Sequence, residues 1–170
     1  MKTQQSALRD PKTNQSSQGF SLIELLIVVA VILIIAAIAL PNFLRAKMRA
    51  NEASAVANMR NIDTAEVVYN TTYGVGFSPS LTSLGGNPTV PDATQAGLID
   101  SVLSAGSKTG YIYTFAVTAS DANGNVYGYS VNADPSLAGT TGDRHFYSDQ
   151  SGIIRQNGTG VAGPSDPALQ

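Results

Sequence analysis

The sequence predicts an α+β fold: one long N-terminal helix, membrane-spanning in its first half and amphipathic in its second, packed on a small antiparallel β-sheet. Three observations carry this reading. Residues 20–40, FSLIELLIVVAVILIIAAIAL, are apolar except for Ser21 and Glu24. Residues 42–73 contain neither Gly nor Pro and repeat apolar side chains at helical spacing. From Gly74 onward the composition shifts to Gly, Ser, Thr and Asn, with short alternating segments rich in aromatic and β-branched residues. The expected organisation is a leader at 1–19, a long helix at 20–73 with its membrane span at 20–40, and a β-rich domain at 74–170 with a loose C-terminal tail.

Residues 1–19, MKTQQSALRDPKTNQSSQG, carry Lys2, Arg9 and Lys12 against a single acid, Asp10, and include Pro11. With almost no bulky apolar side chains, such a segment cannot bury enough surface to fold. A secretory signal is cut after a short apolar region. Here the apolar region is long, begins abruptly at Phe20 and has no small-residue cleavage site soon after its first dozen residues. The plain alternative is an uncleaved signal anchor.

As a helix, residues 20–40 extend roughly 30 Å, about the thickness of a bilayer core. A buried core helix is the poorer reading, because a chain of 170 residues could hardly cover the uncharged run 25–40 on every side.

The junction into this run reads Gly19-Phe20-Ser21-Leu22-Ile23-Glu24. It resembles the cleavage motif of the type IV pilin family, which shares its N-terminus with the pseudopilins of type II secretion. The likeness extends through the apolar run to Pro41. It implies a pilin-like fold. It also implies that a membrane-embedded prepilin peptidase cuts after Gly19 on the cytoplasmic side and methylates the new amino terminus at Phe20. Glycine suits the cut physically, since without a side chain an extended backbone can enter a narrow active site. Cutting here leaves the apolar stretch as the first element of the mature chain.

Glu24 is the acid in this span. A carboxylate at the bilayer centre costs on the order of 2.5–3.5 kcal/mol, and less near the interface, so an intramembrane acid points to function. A shallow, snorkelling Glu24 with little role is the bland reading. In the functional one, cleavage creates a cationic amine at Phe20, one helical turn from Glu24. Where helices pack side by side with an axial stagger, Glu24 of one subunit meets the Phe20 amine of its neighbour, and the pair favours one register. The resemblance implies the same role in filament assembly.

Positive charges do not orient the span: Lys2, Arg9 and Lys12 precede it, and Arg45, Lys47 and Arg49 follow it. A cytoplasmic N-terminus is what the resemblance implies.

Pro41 interrupts the helical run and predicts a kink, since proline removes one helical hydrogen bond and crowds the preceding turn. Beyond it an apolar stripe runs Leu44, Met48, Ala55, Met59, Ile62, Tyr69 and Tyr73, while Arg45, Arg49, Glu52, Arg60 and Asp63 occupy other faces. The stripe keeps no strict heptad, which argues against a coiled coil. Gly74 is a fitting stop. Arg45, Lys47 and Arg49 read as markers of the membrane interface.

In the C-terminal region, a helical turn is expected around 80–84 and a short helix over 94–105. Strands 111–119 and 126–133 form a predicted hairpin about the turn SDANGN. Strands 144–149 and 153–156 form a second about Gln150-Ser151-Gly152. The tail from 157 is turn-rich. Many pilins close this region with a disulfide, whereas this chain has no cysteine, so another staple must hold residues 135–170.

The absence of cysteine excludes disulfides and thiolate chemistry. His145, the single histidine, is read as structural, which removes Cys–His catalysis and a typical zinc site. No Ser sits in a nucleophile elbow, and GTTGDR (139–144) lacks the strand–helix context of a phosphate loop. Asp134, Asp143 and Asp149 could offer oxygens to calcium, but their spacing fits no ligand pattern and solvated turn residues are the better reading. A net charge of −2 gives no general case for nucleic acid.

The expected function is therefore structural rather than enzymatic and needs no cofactor. The resemblance implies a pilus subunit serving motility, adhesion or DNA uptake. Its implied partners are other copies of itself, the prepilin peptidase/methyltransferase and an inner-membrane assembly platform. It would be single-pass in the inner membrane first and in a filament later. A type II secretion pseudopilin is the alternative, and a membrane-tethered binding module the distant one.

Overall fold

The computed structural model describes residues 19–86 and 89–169. The expected leader, apart from Gly19, lies outside the described residues. The chain divides into two compact units, one ending at Leu40 and the other beginning at Pro41.

The first unit is helical. Helix α1 (Leu22–Tyr73) begins here, its first turn closed by the Leu25 N–H donating to the Ser21 carbonyl at 3.1 Å. Almost every side chain from 20 to 40 is exposed. Pro41, the expected kink, lies inside α1 at the first residue of the second unit.

The second unit packs the remainder of α1 on a five-stranded antiparallel meander. Its order is β1 (Ser107–Lys108), β2 (Tyr111–Ser120), β3 (Val126–Pro135), β4 (His145–Asp149) and β5 (Arg155–Asn157). The predicted helix periodicity selects the buried face: Ala55, Met59, Ile62 and Tyr69 are buried, whereas Leu44 at the start of the stripe is exposed. These meet Tyr111, Tyr113, Tyr129, Val131, Ala133 and Phe146 from the sheet and Leu81, Leu84 and Leu103 from the connecting segment. Alternation in β3 explains its inward set, Tyr129, Val131 and Ala133, since successive side chains face opposite sides. Aromatic packing extends the core, with Phe115 stacked on Tyr129 at 5.6 Å and Phe77 edge-on to it at 5.0 Å.

Gly74 ends α1 in the left-handed region, at φ 67°, with its N–H returned to the Asn70 carbonyl at 3.0 Å. Helix α2 (Leu81–Leu84) matches the expected turn and is capped by the Ser80 hydroxyl, which accepts the Ser83 N–H.

The helix expected over 94–105 shrinks to α3 (Ser101–Ser104). Upstream the backbone is committed elsewhere. The Asp92 carboxylate accepts the N–H groups of Thr94 and Gln95 at 2.8 and 2.9 Å, and Ala96 and Leu98 donate to the carbonyls of Ser83 and Leu84. Gly97 then turns at φ 65°. Asp100 restarts the helix as its N-cap, accepting the N–H groups of Val102 and Leu103.

The tail also departs from expectation. Asp166 gathers it by accepting from Asn157 Nδ2 and the Gly163 N–H, while the Arg155 guanidinium donates to the Asp166 carbonyl. Asn132 on β3 reaches the Ala162 carbonyl at 2.7 Å. The turn-rich composition leaves backbone groups unpaired along the chain, and these side chains satisfy them.

Candidate assembly site

The residues expected to serve processing and assembly stand together at the head of the first unit. Gly19 and Phe20 precede α1, and the Phe20 side chain is 78% exposed. Glu24 lies in the first turn of α1, where the unpaired N–H groups of a helix terminus favour a negative charge. Behind it Leu25, Leu26, Ile27, Val31, Ile32, Ile34 and Ile35 expose apolar surface on every side of the helix. A helix apolar all round requires lipid or other helices as its surroundings. α1 is long and apolar enough to cross a membrane, and none of its apolar window is buried within the chain.

In the second unit, polar residues of α1 each reach a different part of the sheet side. Asn51 Nδ2 donates to the Thr141 carbonyl at 2.8 Å, and Asn58 Nδ2 to the Tyr113 hydroxyl at 2.9 Å. Glu52 receives the Asp143 N–H at 3.0 Å and the Arg144 Nε at 2.8 Å. Asp63 accepts the hydroxyls of Ser148 at 2.8 Å and Tyr129 at 3.1 Å. Glu66 takes both the N–H and the hydroxyl of Ser78. These bonds join helix positions 51–66 to residues up to 92 positions later, and those to Thr141, Asp143, Arg144 and Ser148 tie part of residues 135–170 to the helix.

Glu52 and Asp63 correct the sequence reading, which placed them on the open faces of the helix. Glu52 is buried and Asp63 half-buried. A carboxylate enters a core when several donors converge on it, and the donors here come from residues distant in the chain. Glu66 drew no attention in the sequence, because an acid on a helix ordinarily marks a solvated face. The signal that could have found all three is their spacing beside Ala55, Met59 and Ile62.

Their electrostatics differ. Burial opposes ionisation of Glu52, but the N–H groups of Asp143 and Arg144 and the Arg144 guanidinium outweigh it and hold its pKa below the ordinary carboxylate range. Burial raises Asp63 despite its two hydroxyl donors, and Asp149 adds to the rise. Burial pushes Glu66 up to about 7, against the two Ser78 bonds and with the help of Asp63.

His145 Nδ1 pairs with Asp134 at 2.5 Å across β3 and β4. Asp149 caps its own turn by accepting the Ser151 N–H. Among the described residues no three His, Asp or Glu side chains gather as metal ligands.

A bare apolar helix headed by a single acid, leading into a compact α+β unit, is the layout of a chain anchored in a membrane by its N-terminal helix. The prokaryotic N-terminal methylation motif matches residues 14–40. The type IV wide pilus major component PilA4 of Thermus thermophilus is 35% identical over 98 residues, covering 56% of this chain and 70% of that protein. A fimbrial protein of Pseudomonas aeruginosa is 31% identical over 138 residues, covering 71% of this chain and 90% of the relative. The type IV major pilin protein PilA of Myxococcus xanthus is 44% identical over 59 residues, 35% of this chain but 27% of that longer protein. The chain belongs to the type IV pilin family. No solved structure matches it significantly.

Proposed function

We propose that this chain is a structural subunit of a type IV pilus, cut between Gly19 and Phe20, methylated at Phe20 and polymerised through its apolar helix. The observation that carries the reading is Glu24 in the first turn of a helix whose other side chains over residues 20–40 are apolar apart from Ser21. The inferred sequence of events starts with a single-pass protein in the inner membrane. The peptidase exposes the Phe20 amine, the assembly platform moves the subunit from lipid into the filament, and the amine pairs with Glu24 of a neighbouring copy. Desolvation inside the bundle makes an unmatched register costly, because an unpaired buried charge is penalised by several kcal/mol, roughly 3–5. Pro41 loosens the helix between the lipid-facing and domain-facing parts. The names of the relatives, major pilins and a fimbrial protein, favour a pilus over a secretion filament.

Glu24→Val tests the reading. The variant is expected to insert and be cleaved like the wild type but to give few or no surface filaments. Abundant normal filaments would overturn the assembly role of Glu24.

A further inference from the structure

Immediately beyond the apolar run the chain carries Arg45, Lys47 and Arg49, with no acid before Glu52. All three are exposed, and among the described residues none has an ion pair or hydrogen-bond partner. The next acid does not neutralise them, because Glu52 is engaged by Arg144 and by backbone N–H groups. Three positive charges thus stand within five residues, and the acids nearest them in the fold, Glu52 and Asp143, do not match them in number once Arg144 is counted. These are the first charges to follow the apolar run in the sequence, so they meet the polar headgroup region, or the water just beyond it, when 20–40 spans the membrane.

Arg45 and Arg49, one turn apart on α1, also line one side of a cleft of about 710 Å³ together with Met48, Glu52, Asp143 and Arg144. The cleft gives the two guanidinium groups a concave, partly sheltered setting. Guanidinium suits phosphate, since its planar donor set matches two phosphate oxygens at once. There is a topological reason to expect a partner as well. With the N-terminus in the cytoplasm, these charges lie on the side of the membrane where Lys and Arg next to a span are ordinarily depleted.

We infer that Arg45, Lys47 and Arg49 form a docking surface for anionic phospholipid headgroups of the outward-facing leaflet, holding the membrane-stored subunit before assembly. The inference rests on the membrane-anchored reading of residues 20–40. The lipid phosphates neutralise the three cations while the subunit waits, and they are released when it leaves the bilayer.

The test is native mass spectrometry of the full chain released from nanodiscs containing equal phosphatidylglycerol and phosphatidylcholine. The wild type should retain phosphatidylglycerol over phosphatidylcholine by about tenfold or more, given the attraction of each Lys or Arg near an anionic surface. The variant R45Q/K47Q/R49Q should retain the two lipids nearly equally. Arg60→Gln, which removes an exposed cation further along α1, should keep the wild-type ratio. Equal retention by the wild type, or an unchanged ratio in the triple variant, overturns the inference. A wild-type preference abolished by inorganic phosphate but kept in chloride of the same ionic strength also overturns it, because the residues would then be serving a free anion. A chain that fails to enter the nanodisc at all contradicts the anchored reading itself, an outcome distinct from insertion without lipid preference.

Discussion

Glu66 of the helix holds Ser78 twice: Oε2 accepts its backbone N–H at 2.7 Å and Oε1 accepts its hydroxyl at 2.5 Å. This fully buried carboxyl anchors the segment that turns back from the end of α1. Its folded pKa of about 7 lies above the ordinary value of 4.5. The contribution to stability is therefore fully present below pH 4.5, where both folded and unfolded forms are protonated. It is lost as pH rises to 7, because the unfolded chain ionises first. The loss is on the order of 3 kcal/mol. Asp63, also raised, acts in the same direction. Denaturant unfolding of the full chain in detergent, followed through its tyrosines, should show stability falling between pH 4.5 and 7. Glu66→Gln, which keeps both bonding positions, should flatten that slope. An unchanged slope in the variant would refute the assignment.

Glu52 and Arg144 form a pair whose two members are not equivalent. Glu52 is buried and also receives the N–H groups of Asp143 and Arg144, whereas the Arg144 side chain is 41% exposed. Glu52→Ala strands several donors and should cost about 3 kcal/mol, while Arg144→Ala leaves Glu52 with two backbone bonds and should cost about 1 kcal/mol. Urea midpoints of the two variants check the order, and a reversed order would contradict the bonding scheme.

Gly76 and Gly74 are both left-handed, at φ 83° and 67°, yet they differ in the space around them. A Cβ on Gly76 would stand 2.1 Å from the Val126 carbonyl oxygen, whereas one on Gly74 meets nothing within 4 Å. Gly74→Ala should cost about 1 kcal/mol through backbone strain alone. Gly76→Ala should cost more, roughly 3 kcal/mol, because the 76–77 segment bridges to Val126 and must move. Thermal melts of the two variants discriminate. Equal shifts would mean that the close approach is not retained in solution.

The sequence made the local features legible. Unbroken helical spacing from 42 to 73 and Gly74 at its end foretold α1, and alternation foretold β2 and β3 to within two residues. The helical turn expected around 80–84 is α2, and the structure adds Ser80 as its cap. The long-range features stayed hidden. The segment 94–100 reads as helix because its propensity is local, but its backbone donors bond to Ser83 and Leu84. The two residues of β1 are too few to carry a pattern, and their pairing is set by β2. Glu52, Asp63 and Glu66 read as solvated charges because their partners, apart from Ser78, lie 66 or more positions away. The N-terminal methylation motif over residues 14–40 stands at the opposite extreme, since it is a run of adjacent residues and needs no tertiary context to be read.

The central claim is that residues 1–19 are removed and the remaining chain polymerises through a helix beginning at Phe20. The most direct test is to shear surface filaments from the native host and determine the intact mass and N-terminal sequence of their subunit. The account predicts this chain in the filament fraction, starting at Phe20 and carrying one added methyl group. A chain that retains Met1, or one cut beyond residue 40, would contradict it.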